Sequence, residues 1–322
     1  MYKSMLYGSI LTAIIIALSA VYIFKRTFTR EIIGIFLLAE KRYLLLALFS
    51  MFLYHTFDNV RLFVLSRAMG LKYSFFYGYM VSLINTFGAT VTPAHMGGEF
   101  VSLYTLMRRG GQLHKVMSIV TMKTLTGISF FIVAMPLTFY TLIKNPSQAR
   151  DLFLLLGIAL TAAGALYMGL RSFLRRNSEK GKLSNRIKNT LRRYIVTMRM
   201  FLRDKKKYIF CAVVSSVLLY ISFLAVGTFL VKAFNPEANS YKVFVNQLFL
   251  VYALFVSPTP GGSGVGELGA LSVFSPFLSP VEVGVFALLW RFTSQYLSAL
   301  IGSVLLSILL FVDSKKLKHG TD

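Results

Sequence analysis

Along this chain, long runs without Asp, Glu, Lys or Arg alternate with short basic clusters. The runs are Ser4–Phe24, Tyr43–Phe57, Tyr73–Gly98, Thr124–Ile143, Leu152–Leu170, Tyr208–Val231, Val243–Gly266 and Phe292–Val312. Most reach the roughly 20 residues that a helix needs to cross a bilayer. Period-two alternation is missing, which argues against a transmembrane β-barrel. The pattern predicts an all-α polytopic membrane protein with about eight membrane helices. The first run has a long apolar core and no clean small-x-small cleavage site behind it. It is expected to be an uncleaved anchor helix rather than a signal peptide.

Composition agrees and adds a charge problem. Of 322 residues, 56% are hydrophobic and 15% charged, and 35 Lys and Arg face 12 Asp and Glu, a net +23. Such a balance alone suggests a nucleic-acid partner, but a mean hydropathy of +0.65 does not belong to a soluble basic protein. Disorder and a secreted disulfide scaffold are excluded on the same grounds. About half the excess lies in one segment, Arg171–Lys207, with 14 basic residues and two acids. Within it Leu183, Ile187, Leu191, Ile195, Met198 and Phe201–Leu202 recur at helical spacing. That is a basic amphipathic helix lying on the membrane, expected on the cytoplasmic side. The tail lysines, Lys315, Lys316 and Lys318, then fall on the same side. Lys25, Arg26, Arg30, Lys41 and Arg42 dissent, and leave the N-terminal topology open. Cys211, the one cysteine, lies inside a run and is expected to be a packing residue.

Two apolar segments carry related motifs: Thr90-Val-Thr-Pro-Ala-His-Met-Gly-Gly-Glu99 and Ser257-Pro-Thr-Pro-Gly-Gly-Ser-Gly-Val-Gly-Glu267. The Thr-Pro pairs are 167 residues apart and the glutamates 168, and Lys123 and Arg291 each follow their glutamate by 24 residues. The spacing points to an internal duplication, roughly 41–143 and 208–311. With the basic segment and the tail on one side, the copies start on opposite sides, as inverted repeats. Broken segments at matching positions of such repeats point to a transporter site near the bilayer midplane. Pro93, Gly97 and Gly98, and Pro260, Gly261 and Gly262, are expected to break their helices as re-entrant segments. The half-helix after each Gly-Gly would offer free N–H groups and a positive dipole end to a phosphate. Glu99 and Glu267 then either stabilise those N-termini or serve the site.

Ionisable groups inside spans are costly and mark function or a pairing partner. Here they are His55, Asp58, Arg61, Glu99, Lys123, Glu267 and Arg291. Asp58 and Arg61 share a helix face and can pair. The duplication suggests Glu99 with Lys123 and Glu267 with Arg291, although spacing does not decide which acid meets which base. Static ion pairs explain such residues, and so does a headgroup cavity in which Arg291 and Lys123 attract phosphate and the glutamates attract amines. His95 and His114 read as polar packing.

No metal-ligand spacing, phosphate-binding P-loop or nucleophile elbow is present, and no cofactor is expected. Pro93-Ala-His-Met-Gly-Gly-Glu99, Leu106-Met-Arg-Arg-Gly110 and Pro258-Thr-Pro-Gly-Gly-Ser-Gly-Val-Gly-Glu267 resemble the lysylphosphatidylglycerol synthase transmembrane-region family, also called flippase-like membrane proteins. The resemblance covers nearly the whole chain. Its larger members, the multiple peptide resistance factors, join this membrane part to a soluble aminoacyl-transferase domain. Only Asp313–Asp322 follows the last span, so the chain is expected not to be an enzyme. What the resemblance implies is lipid translocation, with Glu99, Glu267 and Arg291 at the cavity; Asp58 and Lys123 come from the repeat argument.

The sequence thus divides into an N-terminal anchor and interfacial segment (1–40), membrane repeat 1 (41–143), a connecting span with the basic helix (144–207), membrane repeat 2 (208–311) and a basic cytoplasmic tail (312–322). The expected function is a flippase or scramblase that moves a headgroup through a midplane cavity of the cytoplasmic membrane. The expected partner is a membrane lipid, an anionic phospholipid or glycolipid, and not nucleic acid. A membrane-embedded transferase on lipid-linked substrates and a lipid-binding scaffold are the alternatives. Oligomeric state stays open, a homodimer included.

Overall fold

The computed structural model describes residues 39–92, 95–144, 161, 168 and 181–319. Regular structure among them is entirely helical. The order is α1 (Lys41–Ala68), α2 (Phe75–Thr90), α3 (Met96–Met107), α4 (Leu113–Lys144), α5 (Gly181–Asp204), α6 (Lys206–Phe234), α7 (Ser240–Asn246), α8 (Leu248–Val256), α9 (Val265–Phe274), α10 (Pro280–Arg291) and α11 (Leu297–His319). A 3-10 turn, Pro260–Gly262, precedes α9, and a π-helical turn, Phe292–Tyr296, joins α10 to α11. The expected anchor helix and most of the run Leu152–Leu170 lie outside the described residues, as does Pro93.

Local chemistry explains the boundaries. The Ser74 hydroxyl accepts from Tyr77 N–H at 3.3 Å to start α2, and the Asn239 side chain accepts from Lys242 N–H at 3.1 Å to start α7. Ser279 and Glu282 cap α10 reciprocally, at 3.3 and 2.8 Å, with Pro280 at the first helical position where a missing N–H costs nothing. One order occurs twice: long helix, second helix, break, short helix, long helix. The first series is α1, α2, α3, α4; the second is α6, α7–α8, α9, α10–α11.

Three helical stretches among the described residues are long and apolar enough to cross a membrane: Leu113–Tyr140, Lys206–Phe234 and Pro280–Asp313. Ser240–Val256 is a shorter apolar one. Helix α1, at about 1.5 Å per residue, is also long enough, but it carries His55, Asp58 and Arg61.

The first helices of the two series, α1 and α6, pack along much of their length. Trp290, Phe274 and Phe286 fill the core beside them. Large apolar side chains also point outward, among them Leu45, Phe49 and Phe52 on α1, Ile132 and Val133 on α4, and Leu300, Val304 and Ile308 on α11. Such an apolar exterior suits lipid, not water. Cys211 faces outward as well, so it is not the packing residue its place in an apolar run suggested. The amphipathic α5 docks on α4, where Tyr194 donates to Thr121 Oγ1 at 3.0 Å and Phe201 is fully buried. Leu191, Ile195, Val196, Met200 and Leu202 stay exposed.

Helices α2 and α11 approach closely at Gly302, where an added Cβ would lie 2.1 Å from the Leu83 carbonyl oxygen. Small residues at such crossings allow backbone contact in membrane bundles. Gly302→Ala is expected to cost about 1–3 kcal/mol through overpacking. The thermal unfolding midpoint of the detergent-solubilised protein reads this directly, and an unchanged midpoint contradicts it.

Candidate functional site

The two breaks are built differently. In the first, Thr92 Oγ1 donates to the Gly88 carbonyl at 2.8 Å and accepts from Gly97 N–H at 2.7 Å. His95 takes a left-handed conformation (φ 58°) just before α3. Helix α3 therefore begins at Met96, ahead of Gly97–Gly98 and not after them. An added Cβ at Gly97 would meet the Gly88 carbonyl oxygen at 2.5 Å, so this glycine serves close approach of α3 to α2. Its N–H already has a partner in Thr92. In the second break Gly261 (φ 59°), Gly262 (φ 67°) and Gly264 (φ 84°) are all left-handed, a conformation that favours glycine. Helix α9 starts at Val265, after the glycine pair, as the spacing predicted. The breaks touch: a Cβ on Gly261 would lie 3.0 Å from both Cα and O of Thr90, and Gln295 Nε2 donates to Thr90 Oγ1 at 3.0 Å.

Glu267 and Arg291 form one buried unit. Arg291 Nε donates to Glu267 Oε1 at 3.1 Å, and both residues are about 2% exposed or less. Glu267 Oε2 accepts from Gly264 N–H at 2.6 Å, so the carboxylate also caps α9. Tyr296 donates its hydroxyl to Glu267 Oε1. A second guanidinium nitrogen of Arg291 donates to the Gly261 carbonyl at 2.9 Å, pinning the break. The structural and the site role of this glutamate coincide in one pair.

The first series differs. Lys123 does not meet Glu99; its Nζ lies 3.6 Å from Asp58 Oδ1, and Arg61 donates to the same oxygen at 2.5 Å. Ser82 donates to Asp58 Oδ2 at 2.7 Å, and Arg61 reaches Ser216 at 3.3 Å. Asp58 thus serves two cations, leaving the cluster one positive charge in excess. Glu99 keeps one contact, accepting from Thr124 Oγ1 at 3.1 Å, while its buried Oε2 has no hydrogen-bond partner among the described residues.

A cavity of about 470 Å3 brings these groups together. Asp58, Arg61, Glu99, Lys123, Gly261 and Arg291 line it, with Tyr54, Asn85, His95, Thr124, Tyr220, Ser294 and Gln295. Glu267 stands behind Arg291, and Gly97, Gly98, Pro260 and Gly262 are not among its lining residues. His95, expected to be packing, is on the wall. Ser82, Tyr296 and Gln295 escaped the sequence reading because single neutral polar residues in apolar runs carry no pattern. No group of His, Cys, Asp or Glu among the described residues is arranged to hold a metal ion.

The profile of the lysylphosphatidylglycerol synthase TM region matches residues 5–302. The chain belongs to that family. It is also 23% identical over 288 residues to a UPF0104 membrane protein of Archaeoglobus fulgidus, covering 81% of this chain and 84% of the relative. For a member of this family, the apolar helices and the outward apolar side chains agree on a membrane location.

The two glutamates should respond differently to neutralisation. Glu267→Gln leaves Arg291 buried without its counter-ion and is expected to cost about 3–5 kcal/mol. Glu267→Gln with Arg291→Gln should cost less than the sum of the single changes. Glu99→Gln, with no ion pair to break among the described residues, should stay within about 0.5 kcal/mol. Equilibrium unfolding of the four proteins checks all three, and equal losses at the two glutamates contradict the assignment.

Proposed function

We propose that this protein is a lipid translocase, a flippase or scramblase, that moves the headgroup of a phospholipid or glycolipid across the cytoplasmic membrane. One observation carries the reading: an apolar bundle holds a half-open, headgroup-sized cavity where charged groups from both series converge. Cavities of about 300–1,000 Å3 suit small polar ligands, and buried ionisable residues of membrane proteins mark substrate pathways. The phosphate sits against Arg61 and Lys123, whose shared Asp58 leaves one positive charge over, with Arg291 opposite. Glu99, with a carboxylate oxygen unpartnered, takes an amine or hydroxyl of the headgroup. The acyl chains stay in lipid.

In this reading the two series are inverted repeats, the breaks are re-entrant segments, and alternate access comes from rocking one series against the other. The basic α5 and the tail lie on the cytoplasmic side, against anionic headgroups. The chain acts as a carrier and not as an enzyme. The family's name, taken from the membrane region of enzymes that make a phospholipid, supports a lipid substrate.

Reconstitution tests this. Proteoliposomes carrying headgroup-labelled phospholipid or glycolipid should show movement between leaflets, downhill or under a proton or potassium gradient. Glu99→Gln and Lys123→Met should each slow it by about tenfold or more, the worth of one charge-assisted contact, while the protein stays folded. Movement of neither lipid class under any gradient would end the proposal.

A further inference from the structure

His55 lies outside the cavity wall, yet it connects the wall to the second series. Its Nδ1 lies 2.9 Å from Ser82 Oγ on α2, and its Nε2 lies 2.8 Å from Ser298 Oγ on α11. Ser82 in turn donates to Asp58 Oδ2 at 2.7 Å. All four side chains are buried. The continuous chain Ser298–His55–Ser82–Asp58 therefore spans three helices and ends on the carboxylate that Arg61 and Lys123 share.

Counting hydrogens gives this chain a direction. Asp58, paired with two cations, is a carboxylate and only accepts. The single hydrogen of Ser82 is committed to it, so Ser82 can only accept from His55. Nδ1 must then carry a hydrogen. The Ser298 hydroxyl makes no other hydrogen bond among the described residues, so its hydrogen goes to Nε2, which must be bare. Tyr54 and Asp58 on α1 and Lys123 on α4 are the titratable and charged groups near the ring. The partners on α2 and α11 are hydroxyls.

We infer that His55 is a positioning residue, a neutral imidazole protonated at Nδ1, which ties the seating of α11 to the Asp58 carboxylate. With the chain intact, Ser82 holds Asp58 Oδ2 and leaves Oδ1 to the two cations. Withdrawal of Ser298 with α11 frees Nε2, the ring, and through Ser82 the orientation of Asp58. The way Asp58 divides its oxygens between Ser82 and the cations Arg61 and Lys123 thus depends on the position of a helix from the other series. That consequence rests on the lipid-translocation reading; the protonation pattern does not.

The test has two arms. Side-chain nitrogen NMR of the full chain in detergent, labelled with 15N-histidine and assigned by loss of the signal in His55→Gln, should show a protonated Nδ1 and a bare Nε2. Ser82→Ala should move the hydrogen to Nε2, where Ser298 accepts it. An Nε2-protonated ring or an imidazolium in the unaltered protein overturns the inference, as does a tautomer indifferent to Ser82→Ala. In proteoliposomes, His55→Asn, whose amide N–H can replace Nδ1–H but which has no group to meet Ser298, should lose about tenfold in lipid movement, as should Ser298→Ala. Full lipid movement in both variants overturns the positioning role. If the unaltered protein moves no lipid, the translocation proposal falls and the NMR arm still decides the tautomer.

Discussion

A charge inside an apolar bundle is costly unless a counter-charge or a polar group of the same bundle meets it. Removing one partner of a buried pair costs several kcal/mol, so the acids and bases here decide which helices belong together. Arg291 ties α10 to α9 through Glu267, and to the Pro/Gly break through the Gly261 carbonyl. Asp58 ties α1 to α4 through Lys123 and to α2 through Ser82. The apolar contacts of α1 with α6 fill the space these ties define, but they do not choose it, since aliphatic packing tolerates many arrangements.

The two motifs share an outline and differ in the partners their charged residues find. In the second, glutamate and basic residue satisfy each other, and the carboxylate caps its helix too. In the first, the basic residue meets an aspartate on another helix, and the glutamate has a hydroxyl on one oxygen and, among the described residues, no hydrogen-bond partner on the other. Of the cations that line the cavity, Arg291 is neutralised by Glu267 behind it, while Arg61 and Lys123 share the single carboxylate of Asp58.

Much of this was legible in the residues. The helical class followed from apolar runs, and the Glu267–Arg291 pair from a spacing of 24 residues that brings one short helix against the next. The first motif misled because Lys123 stands at the same spacing from Glu99, but its partner comes from α1, and only tertiary packing brings α1 there. Gly97 and Gly98 looked like helix breakers; they lie within the first turn of α3, where the neighbouring α2 demands small residues. The π-helical turn that aims Tyr296 at Glu267 has no signature of composition. The outward face of Cys211 depends on which neighbour α6 chooses, and that is invisible in a run apolar all round.

The contact of Thr90 with Gly261 has a mechanical meaning. At that seam the ends of the two breaks meet backbone to backbone, and Gln295 adds a hydrogen bond from its amide to the Thr90 hydroxyl. An added Cβ at Gly261 would press on the Thr90 backbone and on the Gln295 amide. Two breaks set that close cannot shift independently: what displaces one is felt at the other.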